Sequence, residues 1–280
     1  MRSQIKMVIT DLDGTLLNSH GKISKKNLET LKKLGEIGVI RVFATGRSMY
    51  SCRRAVDINC PHDYIAFSTG AGVFCKNTDK ILYAKHIAQK DVLIAIEILK
   101  NESINFCVSQ KIPENHRFFY HQSFIEDDFA KRLKIYESFC QPLEPKNIGD
   151  SVQLIAIFAQ GQEHKFETIK QKILEQTQNI NIIKATSPQN GKNIWLEIYP
   201  KNISKKYAVE YIAKLHNINK NNILGIGNDY NDIDFLDFCG HSFVTNNAPK
   251  DLRKKYNNTD SNDDDGFSQA LKQYFNFFEN

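Results

Sequence analysis

The stretch DLDGT (residues 11–15) decides how the rest of the chain is interpreted. It places Asp11 and Asp13 directly after the apolar run IKMVIT (5–10), which is typical of a buried strand. Residues i and i+2 of an extended segment lie on one face, so we expect both carboxylates to point into one pocket. Two like charges held together are costly without a cation, and a hard cation such as Mg²⁺ prefers oxygen ligands. An Asx turn explains the same letters, so this stretch alone leaves both interpretations open.

The composition is that of an ordinary globular protein. The chain has 280 residues, 41% hydrophobic and 25% charged, which is enough for two domains. Its net charge of +5 is mild, and no dense Lys/Arg block indicates a nucleic-acid or membrane partner. The six cysteines have neither CxxC nor zinc spacing, and no segment is typical of a signal peptide or a membrane span. We therefore expect a cytoplasmic protein; the sequence leaves its oligomeric state open.

Short apolar runs alternate with amphipathic stretches near the beginning of the chain. The runs VIRVFAT (39–45) and YIAFST (64–69) are typical of strands, and residues 24–38 are typical of a helix with Ser24 as its N-cap. Continuous apolar strands separated by helices indicate a parallel sheet covered on both faces. The first pattern resumes with IWLEIYP (194–200), after the predicted return linker SPQNGKN (187–193).

The middle of the chain has a different pattern of short strands and helices. We therefore predict an α/β protein with a Rossmann-like parallel-sheet core, formed by residues 1–83 and 191–280. An inserted α+β cap domain, residues 84–190, interrupts this core. Insertions of this kind often act as lids, and we expect this one to determine substrate specificity.

Further polar residues follow other predicted strands. In ATGR (44–47), Thr45 and the Gly46 amide are candidates for binding phosphate oxygens at a helix N-terminus. Lys205 begins a predicted helix after a strand, and GNDYND (227–232) adds carboxylates and amides. Each motif also has a simpler explanation: ATGR as a helix cap, Lys205 as a surface lysine and GNDYND as a turn. Ligands of open parallel sheets collect at the carboxyl ends of the strands, and the motifs together favour one site there.

The order and spacing of these motifs resemble the haloacid dehalogenase (HAD) superfamily of phosphotransferases. More narrowly, the chain resembles the Cof-type, sugar-phosphatase-like hydrolases with the larger α/β cap, from about residue 5 to the last helix. The resemblance implies a HAD core and hydrolysis of a small phosphorylated metabolite, such as a sugar phosphate, through an aspartyl-phosphate. It also implies Mg²⁺ as the cofactor.

The resemblance assigns roles to the motif residues. Asp11 is the nucleophile, and Asp13 is the general acid and then the base for water, so that hydrolysis proceeds in two steps. Lys205 offsets charge beside the nucleophile. The remaining candidates are, for phosphate or substrate, Leu12, Thr45, Gly46, Arg47 and Asn231, and for the metal, Asp11, Asp13, Asn228 and Asp232.

Two positions depart from the family pattern. The family usually has Gly-Asp-x-x-Asn-Asp, and here Asn228 stands where the first Asp is expected. An amide oxygen can bind Mg²⁺ without formal charge, and Asp229 is the alternative ligand. In STGAG (68–72), Thr69 takes a position where the family often has Asn. By the same resemblance, Asn247 and Asn262 are candidates for lining the site.

Two other functions stay open at this stage. A phosphohexomutase on the same fold would use the same residues but shield the phosphorylated aspartate from water. A weakened homologue that binds a ligand without turnover would explain Asn228. The intact set of Asp11, Asp13, Thr45 and Lys205 favours an active phosphatase.

Overall fold

A computed structural model of the chain describes residues 4–57, 59–187 and 190–276. The described strands are β1 Met7–Thr10, β2 Ile40–Ala44, β3 Tyr64–Phe67, β4 Gly72–Cys75, β5 Lys80–Ala84, β6 Asn105–Ser109, β7 Phe118–His121, β8 Cys140–Pro142, β9 Leu154–Phe158, β10 Ile180–Thr186, β11 Ile194–Pro200, β12 Ile223–Gly227, β13 His241–Thr245 and β14 Asn257–Thr259. The described α-helices are α1 Lys25–Glu36, α2 Met49–Ala55, α3 Gln89–Asn101, α4 Asp127–Ile135, α5 Lys165–Gln176, α6 Lys205–Leu215, α7 Ile233–Phe238, α8 Lys250–Lys255 and α9 Gly266–Leu271. None of the helices in these ranges is both long and apolar enough to span a membrane.

The chain divides into two compact units, residues 1–83 with 204–280, and residues 84–203. The first unit contains an eight-stranded sheet in the order β14-β13-β12-β1-β2-β3-β4-β5. Strand β1 lies near its middle and pairs in parallel with β2 and β12. All four β1 residues are buried because helices cover both faces of the sheet. The predicted α/β core with a parallel sheet is confirmed.

The strands at the middle of this sheet end at the same level. Thr10, the last residue of β1, is in register with Phe43 of β2 and Ile226 of β12. The residues that follow, beginning with Asp11, therefore emerge at one edge. This register is what brings loops from distant parts of the sequence together.

The predicted first helix is also observed. Helix α1 begins after Ser24, whose side chain accepts a hydrogen bond from the Asn27 amide at 3.1 Å. Past its end, Gly38 has a φ of 76°, a conformation that favours glycine. The capping residues in the sequence therefore mark both ends of the helix.

The second unit contains a six-stranded sheet in the order β10-β11-β9-β6-β7-β8. Helices α3 and α5 pack on one face, where Ile96 and Phe166 belong to one apolar cluster. Helix α4 packs on the other face, through Phe129. Trp195 of β11 lies beneath α4 and donates a hydrogen bond from Nε1 to Asp128 at 2.9 Å.

The predicted return to the core at residue 191 is wrong. Strand β11 pairs antiparallel with β9 and β10, so it belongs to the second sheet, and the second unit extends to Ile203. The segment 187–193 joins β10 to β11, and the Ser187 amide donates to the Asn193 carbonyl at 2.8 Å. The predicted linker therefore connects two paired strands of the second sheet and does not join the two units; its residues 188 and 189 lie outside the described residues.

A buried histidine lies in the core of the first unit. His62 is 7% exposed, its ring centroid lies 5.0 Å from that of Phe43, and its Nδ1 contacts the Cys60 carbonyl at 2.9 Å. Its Nε2 is buried without a hydrogen-bond partner among the described residues. Burial lowers the pKa of His62 to about 4.

We predict that this histidine makes the first unit less stable in mild acid. In the unfolded chain His62 binds a proton below about pH 6.5, whereas in the folded chain it does so only below about pH 4. The free energy of unfolding therefore falls as the pH drops from 6.5 to 4. His62→Phe should remove about 2 kcal/mol of the loss between about pH 7.5 and pH 5. Urea denaturation at both pH values measures it; equal pH dependence in variant and wild type would contradict the prediction.

Candidate active site

A buried ion-pair cluster lies at the carboxyl edge of the first sheet. Lys205 is 0% exposed, and its Nζ lies 2.6 Å from Oδ1 of Asp11 and 2.6 Å from Oδ1 of Asp232. Asp11 and Asp232 are themselves buried. The three side chains come from segments far apart in the sequence, so the sheet rather than a local motif assembles them.

Each member of the cluster is held by its own element. Asp11 follows β1, and its amide donates to the Ile226 carbonyl of β12 at 2.9 Å. Lys205 is the first residue of α6, whose N-cap Ser204 accepts a hydrogen bond from the Tyr207 amide. Strand β1 and helix α6 therefore deliver an acid and a lysine to the same point.

Asp232 is fixed through both of its carboxylate oxygens. Oδ1 accepts from Lys205, and Oδ2 accepts from the amides of Asn228 and Asp229 at 2.8 and 3.1 Å. A Cβ added at Gly227 would lie 2.7 Å from Oδ2 of Asp232, so glycine is needed there for close packing. In this arrangement Asp232 closes its own turn and positions Lys205.

The pKa values of the cluster reflect burial and charge. Burial raises the pKa of Asp11 to about 7, against the opposing effect of the Lys205 ammonium. Burial alone would lower the pKa of Lys205, but the two carboxylates outweigh it and raise that pKa above its ordinary value. The lysine is therefore charged throughout the physiological range.

Asp13 lies in a separate, more exposed ion pair. Arg47 binds both of its oxygens, with Nε to Oδ2 at 2.8 Å and Nη2 to Oδ1 at 2.6 Å. Paired N–H donors of this kind fix the orientation of a carboxylate. Arg47, a predicted phosphate ligand, here contacts the predicted acid and base.

The loop after β2 provides polar groups beside these pairs. Thr45 is buried, and its Oγ1 accepts a hydrogen bond from the Arg47 amide at 3.1 Å. Gly46 is exposed between them. A second loop, after β3, lies against this one, because the Thr69 amide donates to the Thr45 carbonyl at 3.0 Å.

Asn228 faces the loop that follows β1. Its Oδ1 accepts a hydrogen bond from Thr15 Oγ1 at 2.9 Å, and its Nδ2 lies 2.5 Å from where a Cβ of Gly14 would be. Asp229 points elsewhere, since its Oδ1 accepts from the amide of the next residue, Tyr230, at 2.7 Å. Of the two candidate metal ligands, Asn228 is the one directed at the DLDGT loop.

The remaining predicted residues lie nearby without joining the ion pairs. Leu12 is fully buried, and Asn231 is exposed in the turn that carries Asp232. Asn247 and Asn262 brace the DLDGT loop and its continuation, donating from Nδ2 to the carbonyls of Gly14 at 2.9 Å and of Leu17 at 3.0 Å.

Thr15 was not predicted as part of the site. It is fully buried, and its contact with Asn228 joins residues 213 positions apart. The only signal for it in the sequence is its place directly after DLDG. A threonine there is common in turns, so its partner could not be found from the sequence.

Known proteins match the chain over most of its length. The sequence profile of the haloacid dehalogenase-like hydrolases matches residues 8–271. Two proteins of Bacillus subtilis, the 5-amino-6-(5-phospho-D-ribitylamino)uracil phosphatases YcsE and YitU, are each 23% identical to this chain. The match covers 96% of this chain and 96% of YcsE, and 98% of this chain and 99% of YitU.

Solved structures share the fold. BT1666 from Bacteroides thetaiotaomicron, analysed as a HAD-superfamily phosphatase, has a TM-score of 0.79 at 20% identity, over 97% of this chain and 95% of that one. A haloacid dehalogenase-like hydrolase from B. subtilis has a TM-score of 0.74 at 19% identity, over 97% of this chain and all 100% of the other.

The chain belongs to the haloacid dehalogenase-like hydrolases. Within that family it is a phosphatase, that is, a hydrolase of phosphoric monoesters. The resemblance stated from the motifs is therefore confirmed at the level of family, fold and enzyme class.

We predict that Gly227→Ala lowers kcat by about tenfold or more while the protein still folds. The added methyl group would overlap the Asp232 carboxylate and shift it away from Lys205. Gly149→Ala is the matched control, because a Cβ at Gly149 meets nothing within 4 Å. Steady-state kinetics of phosphate release, together with circular dichroism, measure both; similar kcat values for the two variants would argue against the role of this contact.

Proposed function

We propose that the chain is a Mg²⁺-dependent phosphatase that hydrolyses small phosphomonoesters through a phosphorylated Asp11. The observation that carries the proposal is the position of Lys205, buried between Asp11 and Asp232 at the carboxyl edge of the sheet. A carboxylate held against a lysine at this edge is suited to attack a phosphate whose charge the lysine offsets.

The proposed first step transfers the phosphoryl group to the protein. Asp13 takes up a proton from solvent as it leaves Arg47. An Asp11 oxygen then attacks phosphorus, the ester P–O bond breaks, and Asp13 gives its proton to the leaving alkoxide. The Thr45 hydroxyl and the Gly46 amide hold the phosphate oxygens at the start of this step. In the absence of substrate, Arg47 holds the Asp13 carboxylate through two hydrogen bonds, and it releases that carboxylate when substrate binds.

The proposed second step returns the protein to its starting state. Asp13, now a carboxylate, takes a proton from water, and the water oxygen attacks phosphorus. The bond between phosphorus and the Asp11 oxygen breaks, which releases inorganic phosphate and restores the Asp11 carboxylate. Asp232 takes no direct part and keeps Lys205 in place through both steps.

The residues present fit a magnesium ion. Asp11, Asp232 and Lys205 together carry a formal charge of −1, so a cation bound beside them would be attracted by the net negative charge of the buried cluster. The proposed ligands are the Asp11 carboxylate, the Asp13 carbonyl and the Asn228 side-chain oxygen, all of them hard oxygen donors. Bound there, Mg²⁺ would offset the charge of the phosphate group.

We propose a small phosphorylated metabolite as the substrate, with sugar phosphates and related compounds as the first candidates. The names of YcsE and YitU describe a phosphate on a ribityl chain, which belongs to the same chemical class. The second unit is proposed to determine which member of the class is accepted. We also propose a cytoplasmic location.

The first test is Asp11→Asn. We expect phosphate release to fall by at least about a thousandfold, because an amide cannot replace the carboxylate nucleophile. Asp79→Asn is the matched control, since Asp79 is an exposed residue in a turn and its φ of 52° suits asparagine. Phosphate release from a panel of sugar phosphates, nucleotides and p-nitrophenyl phosphate, with saturating Mg²⁺, measures it.

The products separate this proposal from its alternatives. Turnover that survives Asp11→Asn would reject the nucleophile. An isomerised sugar phosphate without free phosphate would indicate the phosphohexomutase. A wild-type protein that releases no phosphate from any member of the panel would indicate the ligand-binding homologue.

The second test is Asn228→Asp. A carboxylate adds a formal charge to the proposed ligand set, so we expect Mg²⁺ to bind about tenfold or more tightly. Isothermal titration with Mg²⁺ alone measures this without turnover. Asp229→Asn is the control, because the Asp229 side chain accepts a hydrogen bond from the next amide. Weaker binding by Asn228→Asp, or a large loss with Asp229→Asn, would assign the metal to Asp229.

A further inference from the structure

One hydrogen bond joins the two loops that supply the proposed metal ligands. Thr15 Oγ1 donates to Oδ1 of Asn228 at 2.9 Å, although the two residues lie 213 positions apart. Thr15 ends the DLDGT loop and is 0% exposed, whereas Asn228 is half-buried in the turn after β12. One partner of this contact is therefore in the core, and the other still has an open side.

Both partners are fixed through their own backbones. The Thr15 amide donates to the Leu12 carbonyl at 3.3 Å, within the same loop. The Asn228 amide donates to Oδ2 of Asp232 at 2.8 Å, and the other oxygen of Asp232 accepts from Lys205. The contact between the two side chains therefore connects the DLDGT loop to the buried lysine cluster.

The nitrogen end of the Asn228 side chain lies against Gly14. A Cβ built on Gly14 would lie 2.5 Å from Nδ2 of Asn228, and the φ of Gly14 is 76°. The Gly14 carbonyl accepts from Asn247 Nδ2 at 2.9 Å and from Thr245 Oγ1 at 3.3 Å, which holds this backbone in place. The amide group thus has its oxygen at Thr15 and its nitrogen at Gly14.

The orientation of this group matters because residue 228 is an amide. A carboxylate presents an oxygen whichever way it is turned, whereas an amide turned end for end presents an NH₂ group, which is a donor and cannot bind a cation. The terminal torsion of asparagine is broad and does not select one orientation by itself. The amide oxygen has two lone pairs, so it can accept from Thr15 and still bind a cation.

We propose that Thr15 is a positioning residue of the proposed magnesium site. Its hydroxyl fixes the Asn228 amide with the oxygen available to a cation, and this orientation compensates for the absence of a carboxylate at position 228. Hydrogen-bonded partners of metal ligands orient those ligands, and their loss lowers metal affinity. The inference rests on the proposed function, which assigns Asn228 as a metal ligand.

The test is isothermal titration of the full chain with Mg²⁺ in the absence of substrate. Thr15→Val keeps the β-branched shape and deletes the hydroxyl, so Mg²⁺ should bind about tenfold more weakly. Thr15→Ser restores the donor and should keep the affinity within about twofold of the wild type. Wild-type or tighter binding by Thr15→Val would overturn the proposal, and so would equal losses in the two variants, which would assign the effect to packing.

A double-mutant cycle tests whether Thr15 acts through the amide. Asn228→Asp supplies an oxygen in either orientation, so adding Thr15→Val to it should weaken Mg²⁺ binding by only about threefold or less. An equal loss in the Asn228 and Asp backgrounds would mean that Thr15 supports the loop without acting on the side chain of residue 228. That result would overturn the proposal.

The matched control is Thr177→Val. Thr177 is also buried, and its Oγ1 donates to a side-chain oxygen, Oδ1 of Asp91, at 2.6 Å within the second unit. Both variants should have a lower Tm by circular dichroism, because each removes the donor to a buried acceptor. The control should keep its Mg²⁺ affinity; a loss as large as that of Thr15→Val would assign the effect to stability and reject the role of Thr15.

The outcomes separate this proposal from the proposed function. If Mg²⁺ binds with the expected dependence on Thr15 but the wild-type protein releases no phosphate, the phosphatase mechanism fails and the role of Thr15 stands. If the wild-type protein releases phosphate and its Mg²⁺ affinity does not depend on Thr15, the role of Thr15 fails and the phosphatase mechanism stands. A wild-type protein that binds no Mg²⁺ would reject both.

Discussion

The structure depends on the burial of one lysine between two carboxylates. Removing an ammonium group from water is costly, and the cost is recovered only where partners of opposite charge and good geometry replace the water. Lys205 has both, at 2.6 Å from each of Asp11 and Asp232. Loss of one member of such a set leaves an uncompensated buried charge, which costs about 3–5 kcal/mol. The ends of β1 and β12 and the start of α6 are therefore tied to one another by charge as well as by packing.

The charges of the site fall into two groups with different exposure. Asp11, Asp232 and Lys205 are buried, whereas Asp13 and Arg47 form a pair whose side chains are 53% and 30% exposed. Water screens the second pair, so it can open and close at little cost. The buried group fixes Asp11, the proposed nucleophile, and its lysine. The exposed pair leaves Asp13, the proposed acid and base, free to move, as the proposed mechanism requires.

Much of this site could be predicted because its residues follow strands directly. An apolar run ending in Asp11, Thr45 or Gly227 places the next side chains at a sheet edge, whatever the rest of the fold. The partner of each side chain could not be predicted in the same way. The pairing of Asp13 with Arg47, and of Thr15 with Asn228, depends on loop conformations that residue types alone do not determine.

The fold was predicted well for the core and less well at the boundary between units, for a physical reason. In β11, five of seven residues are buried, because α3 and α5 cover one face of its sheet and α4 covers the other. A strand covered on both faces has a continuous apolar sequence whether its neighbours are parallel or antiparallel. The run IWLEIYP therefore has the pattern of a core strand, and only its pairing with β9 and β10 assigns it to the second unit.

Asn228 affects the balance of charge in the proposed metal site. An aspartate there would give Asp11, Asp232, Lys205 and residue 228 a net charge of −2 before any cation bound. The asparagine keeps it at −1 and still offers an oxygen, which Thr15 holds by a hydrogen bond. A neutral residue at this position reduces like-charge repulsion in the buried cluster and, for the same reason, would reduce the attraction for the proposed cation. The buried Lys205 supplies positive charge beside this residue, so the proposed metal site combines a neutral ligand with a cluster of net charge −1.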